Sequence, residues 1–191
     1  MIKRVLGNGK YGFVGSKDLR EDPYISNTIS RVDEIHWLTT KDTAQMAYNH
    51  CGATAVTNLA IYHMTKNNKV NLTKQDRLNL FKTIHQDVGN GPVAMIAGSA
   101  KKIFKSMGYG LTYKKVRNYD EVKKAIDSDE IVGLLLANGL FHWHWVLCIG
   151  YREYEDGTNY LQIIDNWNNT TDRFYRIHSK SLWFSGTSYN I

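Results

Sequence analysis

Near residue 129 the spacing of apolar residues changes from a helical period to a strand-like one, and this change limits the chain to few architectures. Upstream, Ala55, Val56, Leu59, Ala60 and Met64 recur at helical spacing and predict a helix from Cys51 to about Lys66. Thr73-Lys-Gln-Asp76 has the form of a capping box, and a second helix follows with Leu80, Phe81, Ile84 and Val88 as its buried stripe. Asn90-Gly91-Pro92 breaks the chain. Pro92 suits the first turn of a third helix, which carries Val93, Ile96, Ala97, Ala100, Ile103, Phe104 and Met107 and stops at Gly108. Asn118 caps a short fourth helix through Ile126.

Downstream, residues 131–136, 143–151, 160–164 and 173–177 are rich in β-branched and aromatic side chains and predict strands. Turns at Asn138-Gly139 and Glu155-Asp156-Gly157 make antiparallel neighbours of some of them. Helices first and strands second predict an α+β fold of two lobes with a cleft between. With 191 residues, only Pro23 and Pro92 as prolines, and no repeat or linker, the chain is expected to form one compact unit. Residues 1–44, with glycines at 7, 9, 12 and 15, read as an irregular arm of unknown role lying on the body of the fold. Residues 45–191 read as the domain proper, with a helical lobe over 45–128 and a β lobe over 129–191.

Composition removes several classes of function. The longest apolar run, 131–136, is strand-sized, so no membrane segment is expected. The N-terminus carries charge without an apolar core behind it and does not read as a signal peptide, which leaves cytoplasm and secretion both open. Two cysteines, Cys51 and Cys148, are too few for a disulfide framework or a zinc knuckle. His142 with His144, and His50 with Cys51, are pairs with no third ligand, so neither a metal nor a cofactor is expected. The net charge of +6 includes a run of basic residues over 101–117 that reads as a solvated face, and no nucleic-acid motif accompanies it.

The chemistry points to Gln45-Met-Ala-Tyr-Asn-His-Cys51-Gly52. A cysteine opening a helix meets the positive end of the helix dipole and free backbone N–H groups, which favour a thiolate. Gly52 has no side chain to keep a substrate backbone away. Gln45 can return along the preceding turn and aim its amide at a developing oxyanion. Ninety or so residues on, His144 opens the apolar run Trp145-Val-Leu-Cys-Ile-Gly150-Tyr151, which places an imidazole at a strand end. Another apolar strand, Leu161-Gln-Ile-Ile, then delivers Asp165 beside Asn166 and Trp167. Nucleophile, base and orienter are thereby all available, with Asn166 the alternative to Asp165 as orienter.

Gln-x5-Cys-Gly, His-x5-Gly-Tyr and a strand ending in Asp-Asn-Trp together resemble the papain-like cysteine peptidases, and within them the bacterial C39-like group. The resemblance covers about residues 40–190. It implies a papain-like fold, Cys51 as nucleophile, His144 as general base and acid, Asp165 as orienter and Gln45 as oxyanion donor. Papains proper have Asn-Ser-Trp where this chain has Asp165-Asn166-Trp167, and Gly52-Ala53 replaces their aromatic residue after the cysteine. The expected activity is hydrolysis of peptide or amide bonds in a peptide or protein substrate, through a thioacyl intermediate. Two alternatives stand beside it. One is an acyl or peptidyl transferase, or an amidase of cell-wall peptides. The other is a catalytically silent papain-like module that binds peptide.

Overall fold

The computed structural model describes residues 11–68, 71–91, 93–137, 142–177 and 183–191. Among them the helices are α1 (Cys51–Asn68), α2 (Lys74–Val88), α3 (Ala97–Ser106) and α4 (Tyr119–Asp127). The strands are β1 (Phe13–Val14), β2 (Tyr24–Thr28), β3 (Thr112–Lys115), β4 (Ile131–Ala137), β5 (Trp143–Tyr154), β6 (Asn159–Ile164), β7 (Phe174–Ile177) and β8 (Trp183–Asn190). The fold is α+β, and every strand pairing is antiparallel. The sheet runs β1-β7-β6-β5-β4-β8-β3, with β2 joined to the far half of β5. No helix among the described residues is long and apolar enough to cross a membrane.

Local chemistry explains most of the helix ends. Thr73 and Asp76 form the capping box at the start of α2, each side chain accepting from the other's backbone N–H. The Asn118 side chain accepts from Glu121 N at 2.9 Å and starts α4. Gly108, at φ +85°, follows α3 in the left-handed region where glycine carries no Cβ penalty. The third helix starts later than its sequence suggests. Pro92 lies outside the described residues, and Val93 is held in a loop because its carbonyl accepts the Trp145 indole N–H at 2.8 Å.

Helix α1 is the centre of the molecule. It is buried on every side from Cys51 to His63, and its threonines and asparagine find their partners within the protein. Thr54 and Thr57 donate back to the carbonyls of His50 and Ala53, at 3.0 and 2.8 Å. Asn58 reaches out of the helix to the backbone of Leu38.

The first 44 residues are more regular than expected. Their described part supplies β1 and β2, and buries Phe13, Leu19, Ile29, Val32, Ile35, Trp37 and Leu38 in the core. β3 and β8 also join the sheet beyond the strands read from sequence, and β3 draws residues 112–115 into it from the helical half. β2 pairs with β5 from Tyr24↔Tyr154 to Thr28↔Gly150. A Cβ on Gly150 would stand 2.7 Å from the Asn27 carbonyl oxygen and 2.8 Å from both Gln162 Oε1 and Thr28 Oγ1. Two of these neighbours can turn away, but the backbone carbonyl cannot. Gly150→Ala is therefore expected to cost roughly 1–3 kcal/mol of stability as the strands separate, measured as a lower urea midpoint with an unchanged m-value.

Candidate active site

Cys51 is the first residue of α1 and is 6% exposed. The turn ahead of it is closed by a bond between Thr43 Oγ1 and His50 Nε2 at 2.7 Å, both ends buried. Gln45 sits exposed on that turn. Asn49, at φ +48°, reverses the chain just before the helix, and its carbonyl accepts from Gly91 N at 2.5 Å. Gly52 faces inward. A Cβ there would lie in ordinary van der Waals contact with Ile96, Trp145 and Val88, so Gly52 packs the helix end against β5 and leaves no passage for a substrate.

The helix end meets β5 at Trp145, the residue after His144. Backbone N–H groups of Trp145, Gly52 and Cys51 itself act on the sulfur and favour its thiolate. Burial outweighs them and pushes the Cys51 thiol up from its ordinary value. The helix start alone therefore does not activate this cysteine in the state described.

His144 is 3% exposed and lies flat under Trp167, with ring centroids 3.9 Å apart and planes at 16°. Its Nε2 bonds the backbone carbonyl of Asp165 at 2.7 Å. A carbonyl only accepts, so Nε2 carries the proton and Nδ1 keeps the lone pair of the neutral ring. Desolvation pulls the imidazole down to about 4, against smaller raising effects from that carbonyl and from the Asp165 charge.

Asp165 therefore meets His144 through its main chain, and its carboxylate is engaged elsewhere. Oδ1 accepts from Trp167 N and Asn168 N at 2.9 and 2.8 Å. Oδ2 accepts from Asn168 Nδ2 at 2.8 Å and from Arg173 Nε at 3.2 Å. The side chain is fully buried and folds the turn after β6, which in turn aims the carbonyl. Asn166 takes no bond from His144 either. Fully buried at φ +60°, it donates to the Trp145 carbonyl at 2.8 Å and accepts from Asn58 Nδ2 at 2.9 Å. Asn166 and Asn58 hold β5 to α1, and so hold the two halves of the site together.

The Cys51 end of α1 thus meets β5 at Trp145, the residue after His144, whose ring is held by the Asp165 main chain, while Gln45 lies on the exposed turn. His142 is exposed just ahead of β5, and Cys148 is fully buried within it, its Sγ donating to the Gly150 carbonyl at 3.3 Å. Two residues at the site carry no motif in the sequence. Asn58 looks like a polar position on a helix, and only its i+7 spacing from Cys51 places it on the same face as that cysteine. Tyr11 lies in a glycine-rich stretch with no periodicity, yet its ring centroid is 5.6 Å from that of His144. Comparison of the chain with protein-family models, and with curated proteins, finds no match.

Two outcomes follow from this geometry. Removing the Asp165 carboxylate strands the Arg173 guanidinium and two backbone N–H groups. Asp165→Ala should therefore cost roughly 3–5 kcal/mol of folding stability, read by urea denaturation. A carboxylate acting directly on His144 would instead lower kcat in a chain of normal stability. The second outcome concerns pH. His144 binds its proton near 4 when folded and near 6.5 when unfolded, so the unfolded chain protonates first. Its contribution to stability is complete above the unfolded value and is lost as pH falls through the folded one. Urea midpoints should drop between neutral pH and about pH 4, and His144→Gln should flatten that slope.

Proposed function

We propose that this chain is a cysteine hydrolase acting on peptide or amide bonds, papain-like in placing a nucleophile-bearing helix start against a base-bearing strand. The observation that carries the proposal is the meeting of the α1 N-terminus with β5 at Trp145, beside an imidazole fixed by the Asp165 carbonyl. A cysteine packed only as a small hydrophobe has no need of an oriented, singly protonated histidine one residue along the strand that it meets.

In this mechanism the Cys51 proton passes to His144 Nδ1 as sulfur attacks the substrate carbonyl carbon. The oxyanion forms beside the Cys51 backbone N–H, where the Gln45 amide can join it if the exposed turn carrying it bends over the substrate. His144 returns the proton to the leaving amine, the C–N bond breaks, and a thioester remains on Cys51. Water then gives a proton to His144 and attacks the thioester carbon. Collapse releases the carboxylic acid and restores the thiol. Trp167 keeps bulk water from one face of the imidazole, which strengthens its bond to the Asp165 carbonyl.

The test is turnover of a mixed peptide library, with labelling by a thiol-directed peptide electrophile. Cys51→Ala and His144→Ala are each expected to lower kcat/KM by roughly a thousandfold or more. The electrophile should attach to Cys51 and spare Cys148, whose burial pushes its thiol up to about 12. Turnover that survives both substitutions, or label found on Cys148, would reject the assignment.

A further inference from the structure

β3 ends the sheet, with β8 on one side of it and no strand among the described residues on the other. All four of its residues, Thr112 to Lys115, are exposed. Val116 N donates to its register partner, the Gly186 carbonyl, at 2.9 Å. In the alternation of an antiparallel ladder, Lys114 and Thr112 then also bond β8, and the N–H and C=O groups of Tyr113 and Lys115 turn to the open side. Such an edge is a template for a further strand.

Charge narrows the choice of partner. Among the described residues the ion-paired lysines are Lys66, Lys102 and Lys123. Lys101, Lys105, Lys114, Lys115 and Lys124 are exposed and belong to none of these pairs. Lys101 Nζ stands 6.0 Å from the centre of the Tyr113 ring, which brings the exposed face of α3 to the same edge, with Lys105 one turn further along it. A groove of about 260 Å³ between β3 and α4 is lined by Lys114, Lys115 and Lys124. Its two carboxylates are already engaged: Glu121 accepts from Arg117 N at 2.7 Å, and Glu130 from Asn190 Nδ2 at 3.4 Å.

Outward backbone groups call for an extended chain, and the surplus of lysine calls for acidic side chains on it. A second copy of β3 would set lysine against lysine, and like charges facing each other across a ladder are destabilising. A nucleic acid would use the charge and leave the outward backbone groups without partners. We infer that β3 is a docking edge for an acidic, extended segment of another protein, which adds beside it as a further strand and sets its carboxylates among Lys101, Lys114, Lys115 and Lys124. β8 and β4 separate this edge from β5 and His144, so the inference is independent of the hydrolase assignment. Main-chain bonds to Tyr113 and Lys115 supply affinity, and the lysines select the sign of the partner's charge.

The full-length chain tests it by fluorescence anisotropy with a labelled short peptide that alternates glutamate with threonine. Saturable binding that weakens with added salt is expected. Lys114→Glu combined with Lys115→Glu should weaken it roughly tenfold or more. Lys124→Glu, which leaves the strand's own sequence intact, should weaken it several-fold. Two versions of the peptide, N-methylated at alternate residues in one phase or the other, keep every charge, and one of them should bind roughly tenfold less because it cannot complete the ladder. Hydrogen exchange reads the position: the peptide should slow the Tyr113 and Lys115 amides and leave those of β2 unchanged. Undiminished binding by both methylated versions, protection of β2 in place of β3, or no saturable binding of the acidic peptide at low salt overturns the inference. Tighter binding of a short single-stranded DNA than of the peptide overturns it as well, in favour of a nucleic-acid surface. Full-strength binding by the doubly substituted chain does the same, and if that chain fails to fold, Lys124→Glu decides alone.

Discussion

The buried amide of Asn58 is the contact on which the rest of the site depends. Its Oδ1 accepts from Leu38 N at 2.8 Å, and its Nδ2 donates both to the Leu38 carbonyl and to Asn166 Oδ1, each at 2.9 Å. Asn166 passes the connection to the Trp145 carbonyl, and its own carbonyl accepts from Thr40 N at 2.8 Å. Helix α1, the loop before it, β5 and the end of β6 are thus joined through two side chains. In a dry interior such bonds are strong when made, and each group left unpaired costs about 1–3 kcal/mol. Relative movement of Cys51 and His144 would break several of them together. Asparagine also suits position 166 because it tolerates the left-handed backbone that the turn requires.

Electrostatics in the described state favours a neutral pair. Burial raises the Cys51 thiol and lowers the His144 imidazole, so both shifts oppose thiolate and imidazolium. A carboxylate on the ring N–H could have offset this, but the structure offers a carbonyl, which orients without adding a full charge. Partial rehydration would weaken the desolvation effect on both groups at once.

Sequence made the helices and central strands legible because their signals are local. The Thr73–Asp76 box, the Asn118 cap and the apolar runs of β4, β5 and β6 each carry their own physical cause within a few residues. β2 was hidden because all five of its residues are exposed, leaving no alternation to read. β1 and β3 are too short to show a period. At the site, residue types were readable and atoms were not. A carboxylate at the end of β6 is visible in the sequence, but only the fold decides whether its side chain or its carbonyl faces the histidine. Arg173 and Asn168 capture the side chain, and neither is adjacent to Asp165 in a way that spacing would flag.

The spacing His-x5-Gly-Tyr shows how a pattern can be informative for a reason other than the one it suggests. Gly150 has no part in the chemistry. It is a glycine because β2 crosses there, with the Asn27 carbonyl oxygen 2.7 Å from where a Cβ would be. β5 also shifts register against β6 between Cys148 and Gly150. That irregularity separates the half of β5 carrying His144, flanked by β4, from the half flanked by β2. Six positions from His144, the glycine marks where the strand changes neighbours. Tyr151 then caps α4 against the sheet by donating to Asp127 at 2.9 Å, the carboxylate that also accepts from Asn27 on β2. The pattern is thus a fold constraint that reaches β2 in the N-terminal part of the chain.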